Sequence, residues 1–155
     1  MNIRIANIKD IDLLIKVRFD YLMADFGNIT EWEEKVMRSQ LLNYYKKNIG
    51  DSFIAILAEI DNEIVSVAFL VITEKPVNPL FITGKTGILL NVFTYPKYRR
   101  KGIALKVISR IIEEAKKRGL SLIELSSTSA GKQLYENYGF RELKSKYTKM
   151  KLQLN

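Results

Sequence analysis

Arg99, Gly102 and Ala104 sit close together inside residues 91–104, NVFTYPKYRRKGIA, and their order suits the capture of an anion. A run that alternates like a strand reaches Pro96, crosses four basic residues (Lys97, Arg99, Arg100 and Lys101) and enters a helix at Gly102. The first turn of a helix has backbone N–H groups without partners, and its aligned peptide dipoles place about half a positive charge there. Glycine lets a ligand approach because it has no Cβ, and Ala104 adds only a methyl group. A phosphate fits such an end.

The rest of the composition narrows the chemistry. The chain has 155 residues, the size of one domain with a real core, and neither cysteine nor histidine. Disulfides, thiolate nucleophiles, imidazole bases and Cys or His metal ligands are therefore excluded. A formal charge of +8 suggests anionic partners without separating nucleic acid from a phosphorylated cofactor. The N-terminus MNIRIANIKDID carries charges where a signal peptide needs an apolar run, and residues 64–72 are too short to span a bilayer. A soluble, cytoplasmic protein with no membrane partner is expected.

Stepping along the chain, Ile3 and Ile5 alternate as a first strand. Asn7 caps a helix with Ile8, Ile11, Leu14, Ile15, Phe19, Leu22 and Met23 on one face, ending at Gly27. Thr30 and Glu33 form a capping box for a second helix that carries Val36, Met37, Leu41, Tyr44 and Tyr45 as far as Gly50. Residues 53–60 and 64–73 read as strands joined at Asp61-Asn62 in a hairpin. After a loop containing Pro76 and Pro79, residues 85–95 form the strand that leads into the basic turn. The helix beyond it buries Ala104, Val107, Ile108, Ile111, Ile112 and Ala115, and Gly119 closes it. Residues 121–126 form a strand, a helix runs from a cap at 127–129 to Tyr138, and residues 140–152 return as a strand. The predicted order is β-α-α-β-β-β-α-β-α-β in one domain, 1–155, with a mixed sheet covered by helices.

Arg99, Gly102 and Ala104 spell R-x-x-G-x-A, which resembles the acetyl-coenzyme A signature [QR]-x-x-G-x-[GA] of the GNAT superfamily of N-acetyltransferases. Residues 128–140, TSAGKQLYENYGF, resemble that family's C-terminal cofactor helix, where L-Y-E leads to G-F. The resemblance covers most of residues 85–140 and implies the GNAT fold: an α+β domain with a mixed, mostly antiparallel sheet flanked by helices. It implies an N-acetyltransferase that moves an acetyl group from acetyl-CoA to a primary amine, as a monomer or homodimer, without metal. Arg99, Arg100, Lys101, Gly102, Ile103 and Ala104 would hold the pyrophosphate of acetyl-CoA. Val92, Phe93 and Thr94, on a strand splayed from its neighbour, would pair with the pantetheine arm and polarise the acetyl carbonyl. Thr128, where many members carry Asn, would offer a hydroxyl to the same arm. Tyr135, read alone a half-buried aromatic anchor, becomes by its place in L-Y-E the general acid at the coenzyme's sulfur. With no Cys or His to carry the acetyl group, the amine attacks directly in a ternary complex.

The general base stays unassigned, because Asn91 stands where some relatives carry an acid; Glu59 and Glu124 are candidates that also suit structural roles. Asp25, Glu31, Glu33 and Glu34 hint at a cationic acceptor, although helix starts favour acids in any case. Gly84-Lys85-Thr86 mimics the end of a P-loop, but Pro79 stands where that loop needs glycine and a strand follows instead of a helix. The rival from another class is a basic nucleic-acid-binding module without catalysis, tracking phosphates with Lys144, Lys146, Lys149 and Lys151. No recognition module accompanies those lysines, and charges on an edge strand guard against aggregation, so no nucleic acid is expected.

Overall fold

β-Branched and aromatic residues between positions 53 and 74 build the centre of the molecule. The computed structural model describes residues Met1–Asn155. β1 (Asn2–Ile5), β2 (Phe53–Ile60), β3 (Glu63–Glu74) and β4 (Lys85–Thr94) lie side by side and antiparallel, and β5 (Leu122–Glu124) pairs parallel to β4. The result is the mixed, mostly antiparallel sheet expected of the sequence, with five strands in place of the expected six. Asp61 and Asn62 turn the hairpin between β2 and β3 with φ of +50° and +62°, the left-handed pair that a two-residue turn of matching twist requires.

Both faces of the sheet are covered. α1 (Ile11–Phe26) and α2 (Glu31–Asn48) pack on one face around Leu14, Val17, Phe19, Tyr45, Phe53 and Phe69, with the Tyr45 and Phe53 rings 4.9 Å apart. α3 (Ile103–Lys117) packs on the other through Ile103, Val107, Ile111 and Ala115 against Ile54, Ile56, Ala68 and Leu70. Thr30 and Glu33 do form the capping box that starts α2. Asn7 caps a 3-10 turn, Ile8–Asp10, before α1 begins. Three residues per turn shift Ile8 off the apolar face, which leaves it exposed, as are Met23 and Val36. On α3, Ile103 takes the buried place expected of Ala104, and Ala104 and Ile112 are only half-buried.

Glu114 is the buried charge of α3. Burial works against its carboxylate, but hydrogen bonds from Arg118 and Lys117 together hold its pKa below the ordinary value.

The C-terminal part departs from the sequence expectation. α4 covers only Lys132–Glu136, because residues 129–131 turn before it and Gly131 rather than a side chain caps it. Residues 141–155 form no strand. Their alternation exists, but Leu143, Tyr147, Met150, Leu152 and Leu154 are all exposed, so no apolar burial offsets the entropy of ordering them. Lys144, Lys146, Lys149 and Lys151 are therefore not edge-strand charges. No helix is long and apolar enough to cross a membrane.

Ile111 is fully buried between α3 and the sheet. Ile111→Ala is expected to lower the unfolding free energy by about 2–5 kcal/mol in urea titrations. A loss within experimental error would mean that α3 is not seated by this packing.

Candidate functional site

β4 and β5 pair only through Thr86–Leu122, Gly87–Ile123 and Ile88–Glu124, and then separate. Beyond that point β4 is distorted: Val67 faces Phe93 while Phe69 faces Leu90, so Ala68 opposes two residues, Asn91 and Val92. Asn91 takes the extra position with φ of +54°, a left-handed conformation that asparagine tolerates better than most side chains. A cavity of about 910 Å³ opens where the strands part, lined by residues 88–94 on one side and residues 126–128 on the other.

The basic turn forms one end of this cavity. Arg100 and Gly102 both have positive φ, +63° and +71°, and the chain enters α3 with no side-chain cap. The first helical hydrogen bond runs from the Lys106 N–H to the Gly102 carbonyl, so the N–H groups of Ile103, Ala104 and Leu105 precede it without intrahelical partners. A Cβ at Gly102 would meet nothing within 4 Å, which leaves room for a ligand to approach the backbone. Arg99 is held in place by its Nε–H, which donates to the Thr94 carbonyl at 2.8 Å, while its two terminal nitrogens make no hydrogen bond to the protein. Arg99, Arg100, Gly102, Ile103 and Ala104 all line the cavity; Lys101 does not, and its ammonium lies 5.5 Å from the Tyr98 ring instead.

Thr128 and Tyr135 form the facing wall. The Gly131 N–H donates to the Thr128 hydroxyl oxygen at 3.2 Å, which leaves the hydroxyl hydrogen for another acceptor. The Tyr135 ring is anchored edge-on against Phe140, 5.9 Å away, while its hydroxyl has no protein partner. Burial raises its pKa above the ordinary phenol value, with the nearby Tyr21 adding to the shift, so Tyr135 stays protonated at neutral pH. Ten of the eleven residues singled out from the sequence therefore meet at one cavity.

Tyr21 and Asp25 of α1 also line it and were not singled out as site residues by motif. Asp25 is one of the acids that hint at a cationic acceptor in the sequence, whereas Tyr21 has only its position near the C-terminal end of the first helix as a signal. Asp25 is the only carboxylate of the lining. Glu59 is paired with Arg4 at 2.8 Å, and Glu124 lines a neighbouring cavity of about 760 Å³ that shares Ser127, Thr128 and Tyr135 with this one.

Residues 18–140 match the acetyltransferase (GNAT) family. The structure is similar to that of a predicted acetyltransferase with acetyl-CoA from Clostridium acetobutylicum, at 28% identity and a TM-score of 0.83 over 97% of this chain and 95% of that one. It is also similar to a GCN5-related N-acetyltransferase from Ralstonia eutropha (21%, TM-score 0.77, 96% and 97%). A ribosomal-protein-alanine N-acetyltransferase from Brucella melitensis shares the fold (18%, TM-score 0.67, 99% and 100%). No curated protein matches the sequence.

Inorganic pyrophosphate is expected to shift the backbone amide resonances of residues 100–105. Gly102→Val should remove that response at a folding cost of about 1–2 kcal/mol for the left-handed backbone. An undiminished response in the variant would show that the glycine does not shape an anion site.

Proposed function

Because the chain belongs to the acetyltransferase (GNAT) family and is an acetyl-CoA-dependent N-acetyltransferase, we propose that acetyl-CoA lies in the cavity between β4 and β5 and that a primary amine attacks it there directly. The observation that carries this reading is the uncapped start of α3, where three N–H groups and the free ends of Arg99 and Arg100 face one cavity. Those donors suit the pyrophosphate, with Lys101 contributing charge from outside the lining. The run Val92 to Thr94 suits the pantetheine amides, and Thr128 offers a donor to the same arm. The continuous sheet from residue 2 to residue 124 supports reading 1–155 as one catalytic domain.

Acetyl-CoA supplies an activated thioester. A backbone N–H of the bulged strand polarises its carbonyl, the amine nitrogen forms the new C–N bond, and the C–S bond breaks. A lysine-like ammonium titrates near 10.4, so only about one molecule in a thousand is neutral at pH 7.4 and its proton must be drawn off. Asp25 attracts the ammonium, and water relays the proton to solvent. On the leaving side, a phenol near 10 is a weaker acid than a thiol near 8.5, which makes complete proton transfer uphill by about 2 kcal/mol. Burial of Tyr135 steepens that climb. Its contribution is therefore a hydrogen bond to the developing thiolate, with the proton passing over as product leaves.

Acetyl-CoA at a hundredfold over its dissociation constant should stabilise the fold by about 2.7 kcal/mol, seen as a raised melting temperature. A flat titration would contradict the placement. In steady-state kinetics Tyr135→Phe should lower kcat about 10-fold or more while the dissociation constant of acetyl-CoA changes little. Undiminished turnover would return Tyr135 to a packing role.

A further inference from the structure

Arg18 is a half-buried cation without a counter-charge. It lies on the α1 face of β4, where its Nη1–H donates to Asn91 Oδ1 at 3.0 Å and its guanidinium sits 5.8 Å from the Tyr21 ring. Asp20, the carboxylate of the same helix nearest to it in sequence, is already engaged by Lys16 and the Tyr95 hydroxyl. The remaining titratable group close to it is Tyr45, a buried phenol whose pKa is raised by burial and is therefore uncharged. No carboxylate lies within ion-pair distance of Arg18 in a structure where Arg4, Arg38, Arg110 and Arg118 each have one. A guanidinium cannot relieve its burial by losing a proton, and four of its five N–H donors are unused.

Asn91 adds an independent observation. It is 2% exposed, lines the cavity, and its Nδ2 is buried with no hydrogen-bond partner. Because Oδ1 is claimed by Arg18, the orphan is a donor in want of an acceptor. Two unsatisfied donor groups, one of them charged, thus adjoin each other: Asn91 in the cavity wall and Arg18 next to it, just outside the lining. The pyrophosphate end, at the start of α3, is on the opposite face of the sheet. Seven residues beyond Arg18, about 10 Å along the same face of α1, stands the carboxylate of Asp25.

We propose that Arg18 and Asn91 form an anion subsite for the acceptor, so that the amine acetylated here carries a carboxylate or phosphate group. This rests on acetyl-CoA lying between β4 and β5 as described above. The acceptor's anionic oxygens satisfy the guanidinium and, after a small rotation of the asparagine, its Nδ2; Asp25 attracts the ammonium from the other end.

The test uses the full chain and matched acceptors: amino acids against their carboxamides, and phosphoethanolamine against ethanolamine. Released coenzyme A is read with a thiol reagent, to which this cysteine-free protein adds no background. At least one anionic member should exceed its neutral partner about 10-fold or more in kcat/KM, and the arm in which it does so separates carboxylate from phosphate. Arg18→Gln should erase the preference through the KM of the amine while the KM of acetyl-CoA holds, and Arg18→Lys should restore part of it. Asn91→Asp, which gives Arg18 an internal carboxylate, should also erase it. Equal rates, faster neutral amines, no acetylation of any anionic acceptor, or a preference that survives Arg18→Gln would overturn the proposal. The wild-type comparison decides even if a variant does not fold. A melting temperature still raised by acetyl-CoA would then confine the failure to the acceptor subsite, whereas no rise would overturn the cofactor placement as well.

Discussion

Main-chain donors that the fold leaves unpaired are the constraint on which this molecule turns. Hydrogen bonding between β4 and β5 stops after three residue pairs, and α3 begins without a cap. Burying such groups without partners is costly, so a protein that accumulates them in one place has to expose them to water or to a ligand. Here they border one cavity. The left-handed residues Asn91, Arg100 and Gly102 stand at the two places beside the cavity where the backbone leaves regular geometry: the bulge of β4 and the turn into α3.

Packing on both faces keeps those irregular places where they are. α3 is fastened by Ile103, Val107 and Ile111, so its polar first turn is presented by a rigid apolar body. α1 is seated on the other face by Leu14, Val17 and Phe19, which sets Tyr21 and Asp25 at the cavity and Arg18 beside its wall. The cavity is thus walled from two sides, by the first turn of α3 and by the end of α1. The Tyr138 hydroxyl, which donates to the Leu105 carbonyl, ties the end of the α4 segment to the start of α3 and holds the Tyr135 wall against it.

Features governed by local rules could be read from the chain directly. The Asp61-Asn62 turn, the Thr30 and Glu33 capping box and the strand-to-helix passage at residues 91–104 each depend on side chains a few positions apart. Features that need a distant partner could not. The bulge at Asn91 depends on its pairing with Ala68, and the meeting of Arg18 with Asn91 spans 73 positions. Alternation in residues 141–155 resembles a strand, yet a strand needs a neighbouring edge and a surface to cover its apolar side, and neither property belongs to the segment itself. Lys101 shares the motif with Gly102 but points along Tyr98, because a turn disperses its side chains in ways that spacing does not record.

Amide hydrogen exchange, resolved by residue, addresses the unpaired donors themselves. Adding acetyl-CoA should slow exchange most strongly at the N–H groups of residues 92–94 and 103–105, with little change in α2. Protection absent from those two segments, or concentrated elsewhere on the sheet, would contradict the account.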